Sequence, residues 1–299
     1  MSGGATVVCA YSEVGHACLD TLLRIGADVR LVVTHRDAPG EKVWFGSVAE
    51  RARAAGVPVI EPDDVNAPDS VERIAAAQPD LLYSFYFRQM IRPRILEIPR
   101  LGALNLHGSL LPRYRGRAPV NWVLVHGEKE TGVTLHYMDA KPDHGDVVGR
   151  RAVAIERDDT ALSLTRKLAG AGCELLAEMH PHLLAGSAPR EPQDHAGSCY
   201  FGGRKPADGE IDWSQPAEQI RNLVRAVTEP WPGAFSFLQG RKLLVWRAET
   251  RPGAGGTPGE VRIGDDGVPR VATADGALEL TRYAFADEGP SLKDGDRLG

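Results

Sequence analysis

The stretch Asn105-Leu-His107-Gly-Ser109-Leu-Leu-Pro112 sets a carboxamide and an imidazole two residues apart at the end of an apolar run. In a strand, residues i and i+2 point to the same face, so both side chains project into one space. The amide can donate to a developing oxyanion, and the imidazole can move a proton near neutral pH. A carboxylate to orient that imidazole is offered downstream, in Asp139-Ala-Lys-Pro-Asp143-His-Gly145-Asp146. Asp139, Asp143 and Asp146 all qualify by type, and each is also an ordinary turn residue. An amide, a base and an acid suit acyl-group transfer without a covalent enzyme intermediate. Ser109 precedes Leu-Leu-Pro and is not held in a nucleophile elbow, which argues against a serine hydrolase. His107, His136, Asp143 and His144 lack H-x-x-x-H or H-E-x-x-H spacing, so no metal is expected.

The elements that must position these groups follow from periodicity. Strands are expected at Thr6–Ala10, Val29–Val33, Val57–Ile60, Leu81–Phe87 and Leu104–His107, with helices at Cys18–Ile25, Phe45–Ala55 and Val71–Ala77. Strands alternating with helices of this length argue for a parallel sheet covered on both faces. Ligands of such sheets gather at the carboxyl ends of the strands, where His107 and the turn after Phe87 lie. No G-x-G-x-x-G follows the first strand, so a dinucleotide redox cofactor is unsupported. Two more strands read at Thr131–Tyr137 and Val147–Ile155. A long helix reads at Thr160–Leu184, with Pro181 expected to break it near its end. Residues 186–209, rich in Gly, Pro and Asp, read as a connector. Beyond it come a helix, Pro216–Val227, and short strands at Ala234–Leu238, Lys242–Ala248, Glu260–Ile263, Val268–Ala272 and Leu278–Tyr283. That run is the pattern of a small antiparallel barrel or sandwich. The last residues, 287–299, are expected to be mobile.

Composition narrows the function classes. A formal net charge of −5 gives no reason to expect a nucleic-acid partner, although Arg113, Arg115 and Arg117 form one local basic patch. Cys9, Cys18, Cys173 and Cys199 show no C-x-x-C spacing and read as free thiols rather than a zinc site or disulfide framework. The N-terminus has no basic n-region, and no run of 18 apolar residues occurs. A cytoplasmic location without membrane insertion is the expectation.

Asn-x-His followed by Ser-Leu-Leu-Pro, with an Asp shortly before a Gly-Asp pair, resembles the folate-dependent formyltransferase family. The resemblance runs from Thr34-His-Arg-Asp and Pro39-Gly-Glu-Lys42, through Ser84-Phe-Tyr-Phe-Arg88 and Met138, to Glu229-Pro-Trp231-Pro-Gly-Ala-Phe235. It is nearest to members that formylate UDP-4-amino-4-deoxy-L-arabinose in lipid A modification. It implies a Rossmann-like, mostly parallel sheet domain over residues 1–205 and a small OB-like β-barrel domain over 206–299. It implies 10-formyltetrahydrofolate as formyl donor, Asn105 and His107 as catalytic groups, and Asp143 as the catalytic acid, with His144 where many relatives have Thr. Ser109, Leu110, Leu111 and Pro112 would wall the folate pocket. Phe85, Tyr86, Arg88 and Met90 would line it, largely through main-chain contacts. A substrate pyrophosphate needs cations, for which Arg115, Arg117 and Arg204 are candidates, since a guanidinium fork binds two phosphate oxygens. Gly203 stands where a close relative has another Arg. Trp231 would pack near a uracil.

The resemblance also implies small-molecule partners, a reduced folate and a sugar nucleotide, and is compatible with a homo-oligomer. Close relatives are often fused to a decarboxylase domain; this chain ends before one, so transfer alone is expected. Two other readings compete. Methionyl-tRNA formyltransferase shares Asn105, His107 and Asp143, but residues 34–47 lack the basic cluster expected of a loop that grips tRNA. A non-catalytic folate- or nucleotide-binding protein would have no use for the three polar groups together.

Overall fold

The computed structural model describes residues 4–253, 256–287 and 291–299. Contacts group the chain into two compact units. One holds Met1–Pro119, Glu130–Ala154 and Thr165–Phe201; the other holds Val120–Lys129, Ile155–Leu164 and Gly202–Gly299.

Through the first unit the chain order is β1 (Ala5–Ala10), α1 (Ser12–Arg24), β2 (Asp28–Val33), α2 (Val48–Ala54), β3 (Val59–Ile60), α3 (Pro68–Ala76), β4 (Leu81–Phe85), α4 (Pro93–Leu96), β5 (Gly102–His107) and the short β6 (Arg115–Gly116). After α5 (Pro119–Val125), which but for Pro119 belongs to the second unit, come β7 (Glu130–Tyr137), β8 (Val147–Ala154), α6 (Ala161–Leu184) and the short β9 (Tyr200–Phe201). Seven strands form one sheet in the order β3-β2-β1-β4-β5-β7-β8. The strands from β3 to β5 run parallel, while β7 and β8 are antiparallel to their neighbours. The expected mostly parallel sheet with helices is therefore present.

Burial explains the order. β1 is buried at every residue because it lies inside the sheet, between β2 and β4. One sheet face carries Val7, Cys9, Leu31, Val33, Leu82 and Ala103, packed with Val71 and Ile74 of α3 and Ile95 of α4. Each fully buried Val, Leu or Ile side chain of this face contributes about 1.5–3 kcal/mol. Asn105 and His107 continue the face of Ala103, so the polar pair stands where that apolar face runs out.

Several boundaries differ from expectation. Helix α1 begins at Ser12, six residues before the expected Cys18, with Val14 already on its buried stripe. β4 stops at Phe85 because Tyr86 turns into the left-handed region at φ +53°. Pro181 lies within α6 instead of ending it. It falls in the last turn, and its own carbonyl accepts from Ala185 N at 3.0 Å to close the helix. The helices α4 and α5 and the β6–β9 pair have no counterpart in the sequence reading.

The second unit carries α7 (Ala217–Val227) and an antiparallel sheet of β10 (Ala234–Leu238), β11 (Arg241–Pro252), β12 (Val261–Ile263), β13 (Pro269–Ala272) and β14 (Gly276–Phe285). Its order is β10-β11-β14-β13-β12. The expectation of a mobile tail over 287–299 is corrected for 291–299; residues 288–290 lie outside the described residues. Val261 N donates to Asp296 O at 2.8 Å, Leu298 N to Gly259 O at 2.9 Å, and Gly299 N to Phe237 O at 3.0 Å. The tail thus bonds both edge strands, β12 and β10, and Leu298 is buried. Leu298→Ala should cost about 2–5 kcal/mol in urea unfolding, and the Leu298 and Gly299 amides should exchange slowly. Exchange at unprotected rates would contradict this packing.

Candidate active site

The site forms at the carboxyl end of β5, where that strand lies between parallel β4 and antiparallel β7. The β5–β7 register sets Asn105 opposite His136 and His107 opposite Thr134. Residues opposite each other in a ladder share a face, so two imidazoles and an amide are delivered to one place. A register irregularity between Leu135 and His136 on the β8 side re-aims the strand there. The fourth group arrives on the loop between β7 and β8. Gly145 makes that loop possible, because a Cβ there would collide with the Tyr137 carbonyl.

Asp143 is the hub. Its Oδ1 lies 3.4 Å from His107 Nδ1, 3.7 Å from His136 Nε2 and 3.5 Å from Asn105 Nδ2. Its Oδ2 accepts from Gly116 N at 2.8 Å. Gly116, at φ +96°, comes too close to the Phe201 carbonyl for any side chain. The other two carboxylates of the segment are engaged elsewhere. Asp139 Oδ2 lies 2.9 Å from His144 Nδ1, and Asp146 Oδ2 accepts from Arg190 Nε at 2.9 Å. Of the three acids left open by sequence, Asp143 is the one that meets the imidazoles.

The proton positions follow from partners that can only accept. His107 Nε2 lies 2.7 Å from the Tyr114 carbonyl, so Nε2 carries a hydrogen and donates it. In the neutral ring the lone pair is then on Nδ1, beside Asp143. His136 Nδ1 donates to Tyr137 O at 2.8 Å, which leaves its Nε2 to accept from Asn105 Nδ2 at 3.2 Å. Burial alone raises the carboxyl pKa of Asp143. When the imidazoles carry their second proton, the charge of His107, the hydrogen bond and charge of His136 and the Gly116 N–H outweigh it and lower the value from 3.8 to about 2.

Around this hub the expected pocket residues have different fates. Ser109 is buried, and its hydroxyl donates to the Arg113 carbonyl at 2.6 Å, closing the turn. Thr134 Oγ1 donates to Ser109 O at 2.7 Å and accepts from Leu111 N at 3.1 Å, while Arg150 Nε donates to Leu111 O at 2.9 Å. The carbonyls of Ser109 and Leu111 and the Leu111 N–H, on the expected pocket wall, are therefore already bonded within the protein. Leu110 and Pro112 are half-buried on the same turn. Phe85 is fully buried and stacked on Tyr83 with ring centroids 5.4 Å apart, so its ring packs in the core. Tyr86 reaches toward Gly108, and among the described residues its buried hydroxyl has no hydrogen-bond partner. Arg88 N donates to His35 Nε2 at 3.0 Å, and its guanidinium forks onto Glu41 (3.0 and 2.5 Å) over the Tyr11 ring. Met90 is 56% exposed, and its carbonyl accepts from Asn66.

The expected cations also separate. Arg115 is a correction, being 2% exposed with Nη2 bonded to Gln193 Oε1 at 2.6 Å and to His195 Nδ1 at 2.9 Å. It is not open to a substrate phosphate. Arg117 is exposed, with no ion pair among the described residues. Arg204 and Trp231 belong to the second unit. There Arg204 lies 4.7 Å from the Trp122 ring centre and donates to Asp208 O at 2.7 Å, and Trp231 is half-buried.

Sequence reasoning considers His136 only as a metal ligand and misses its place beside Asn105. The available signal is the alternation of β7, which puts Thr134 and His136 on one face; the register that aligns them with β5 is not local. Gln193, the Tyr114 carbonyl and the Gly116 N–H carry no motif at all. Among the described residues no three His, Cys, Asp or Glu side chains group to hold a metal, and no helix is long and apolar enough to cross a membrane.

A carboxyl lowered in the fold contributes stability that is complete above its ordinary value of 3.8 and is lost as pH falls through about 2. Carbon-13 titration of Asp143 should therefore give a midpoint near about 2. His136→Ala should raise it toward the ordinary value. A midpoint at or above 3.8 in the intact protein would contradict the shared-carboxylate geometry.

Residues 6–179 match the formyl transferase family, and residues 204–290 match the formyl transferase C-terminal domain. Among solved structures, the chain resembles WlaRD, a sugar 3N-formyl transferase determined in the presence of dTDP and 5-N-formyl-THF. The TM-score is 0.71 at 19% identity, over 94% of this chain and all of that one. It also resembles an N-formyltransferase from Helicobacter canadensis in complex with folinic acid and dTDP-3-aminofucose, with TM-score 0.70 at 17% identity over 94% and 100%. HypX from Aquifex aeolicus, determined with tetrahydrofolic acid, gives 0.67 at 20%, covering 96% of this chain and 45% of that longer one. At these identities the structural likeness speaks for the fold. The family match covers both units, and the chain belongs to the formyl transferase family and is a formyltransferase.

Proposed function

We propose that this enzyme moves a formyl group from 10-formyltetrahydrofolate to the amine of a sugar nucleotide, with UDP-4-amino-4-deoxy-L-arabinose as acceptor, in the cytoplasm and in the service of lipid A modification. The observation that carries the reading is the meeting of Asn105, His107 and His136 on the Asp143 carboxylate at the end of β5. Relatives solved with folates and dTDP-linked ligands support the sugar class. The net charge of −5 weighs against a tRNA acceptor. The UDP-arabinose assignment rests on the motifs Thr34-His-Arg-Asp, Pro39-Gly-Glu-Lys42 and Glu229-Pro-Trp231.

The chemistry balances without a protein nucleophile. The acceptor nitrogen bonds to the formyl carbon, and the carbonyl oxygen becomes an oxyanion. Asn105 has two N–H groups, one on His136 at 3.2 Å and one on Asp143 Oδ1 at 3.5 Å; the longer contact is the one exchanged for the oxyanion. His107 Nδ1 takes the proton shed by the attacking nitrogen. The resulting cation has both N–H groups matched, one by Tyr114 O and one by Asp143. Collapse breaks the bond from the formyl carbon to folate N10, and that nitrogen leaves with the proton from His107. The products are a formamide and tetrahydrofolate. Within the first unit, Arg117 is the exposed cation this reading gives to the substrate phosphates.

Asn105→Ala, His107→Ala and Asp143→Ala should each lower turnover by about a hundredfold or more, with the circular dichroism of the folded protein unchanged. Near-normal rates in all three would end the mechanism. Purified enzyme given the folate donor should formylate UDP-4-amino-4-deoxy-L-arabinose and not charged initiator tRNA, and should bind tRNA weakly with little salt dependence. Formylation of the tRNA, or a steep salt-dependent binding curve, would assign the sister activity instead.

A further inference from the structure

Asp143 has a left-handed backbone, φ +54°. A non-glycine residue stays there at a cost of about 1–3 kcal/mol unless its surroundings enforce it. Those surroundings centre on one buried amide. Gln193, 5% exposed, donates Nε2 to the Asp143 carbonyl at 3.1 Å and to the Gly145 carbonyl at 2.7 Å. Its Oε1 accepts from Arg115 Nη2. A guanidinium only donates, so the oxygen of the amide must face Arg115 and the N–H groups must face the loop. Arg115 is fixed in turn by His195 Nδ1, which has to present its lone pair, and by its own N–H on Cys199 O at 2.9 Å. The residue after Arg115 is Gly116, whose N–H holds the other side of Asp143, at Oδ2. One short segment therefore grips Asp143 twice, by its carboxylate through Gly116 and by its backbone through Arg115 and Gln193.

We infer that Gln193 is a positioning residue for formyl transfer, anchored by the buried Arg115, and that it sets the backbone angle at which Asp143 reaches both His107 and His136. The inference rests on the reading that Asp143 takes part in catalysis.

The test uses Gln193→Glu and Gln193→Leu in the full chain. The glutamate keeps the size of the side chain and an oxygen for Arg115, but turns an acceptor toward two carbonyls; the leucine removes both functions. Carbon-13 titration of Asp143 reads its placement without any substrate. Both variants should move the midpoint from about 2 up toward 3.8, as the carboxylate leaves the imidazoles. Turnover should fall about ten- to a hundredfold, with KM for donor and acceptor little changed. In an Asp143→Asn background the same substitutions should cost almost nothing more. If Gln193→Leu fails to fold, the isosteric Gln193→Glu carries the comparison. An unmoved Asp143 midpoint, or an equal loss of turnover in the Asp143→Asn background, would overturn the positioning role. Full turnover in Asp143→Asn alone would instead sink the catalytic reading of Asp143, and the inference with it.

Discussion

A carboxylate largely removed from water stays charged only where donors and cations surround it. Asp143 meets that condition with groups from three separate segments: imidazoles on β5 and β7 and a backbone N–H at Gly116. Desolvation alone would raise its pKa; the neighbours more than reverse this and lower it to about 2. Every other feature of the site can be read as support for that placement. The irregularity in the β7–β8 ladder, the glycine at 145 and the buried amide of Gln193 all fix where one oxygen sits relative to two rings.

The enforcement has a cost in backbone strain. Tyr86, Tyr114, Ala118 and Asp143 all have positive φ, and they lie in the loops that follow β4, β5, β6 and β7. Each costs about 1–3 kcal/mol in isolation. A seven-stranded sheet with a buried inner strand supplies the rigid base against which such loops can be held. The left-handed turn at Tyr114 also does direct service, since it presents the carbonyl that fixes the tautomer of His107.

The arginines of the basic patch show how backbone geometry decides function among chemically equal residues. Arg113, Arg115 and Arg117 alternate in sequence, so a plain strand would face all three to one side. Tyr114 and Gly116 both turn to positive φ, and the alternation is broken. Arg115 goes inside to hold Gln193 and His195, while Arg117 stays exposed. A cation that reads as a phosphate ligand becomes a structural anchor.

Much of the scaffold is legible along the chain, because burial periodicity is local. The strands of the parallel sheet, the long α6 and the antiparallel strands of the second unit all follow from runs and alternations of apolar residues. The pairing of Asn105 with His107 is equally local, since a strand fixes i and i+2 on one face. Which of Asp139, Asp143 and Asp146 joins them is not local. Nor are the register that sets His136 opposite Asn105, the burial of Arg115 and Phe85, the clamp of Gln193 on the Asp143 loop, and the docking of the tail on β10 and β12. These depend on how strands distant in sequence slide against one another and on which loops then meet. That is decided by the summed packing of the whole sheet, and no short window of residues contains it.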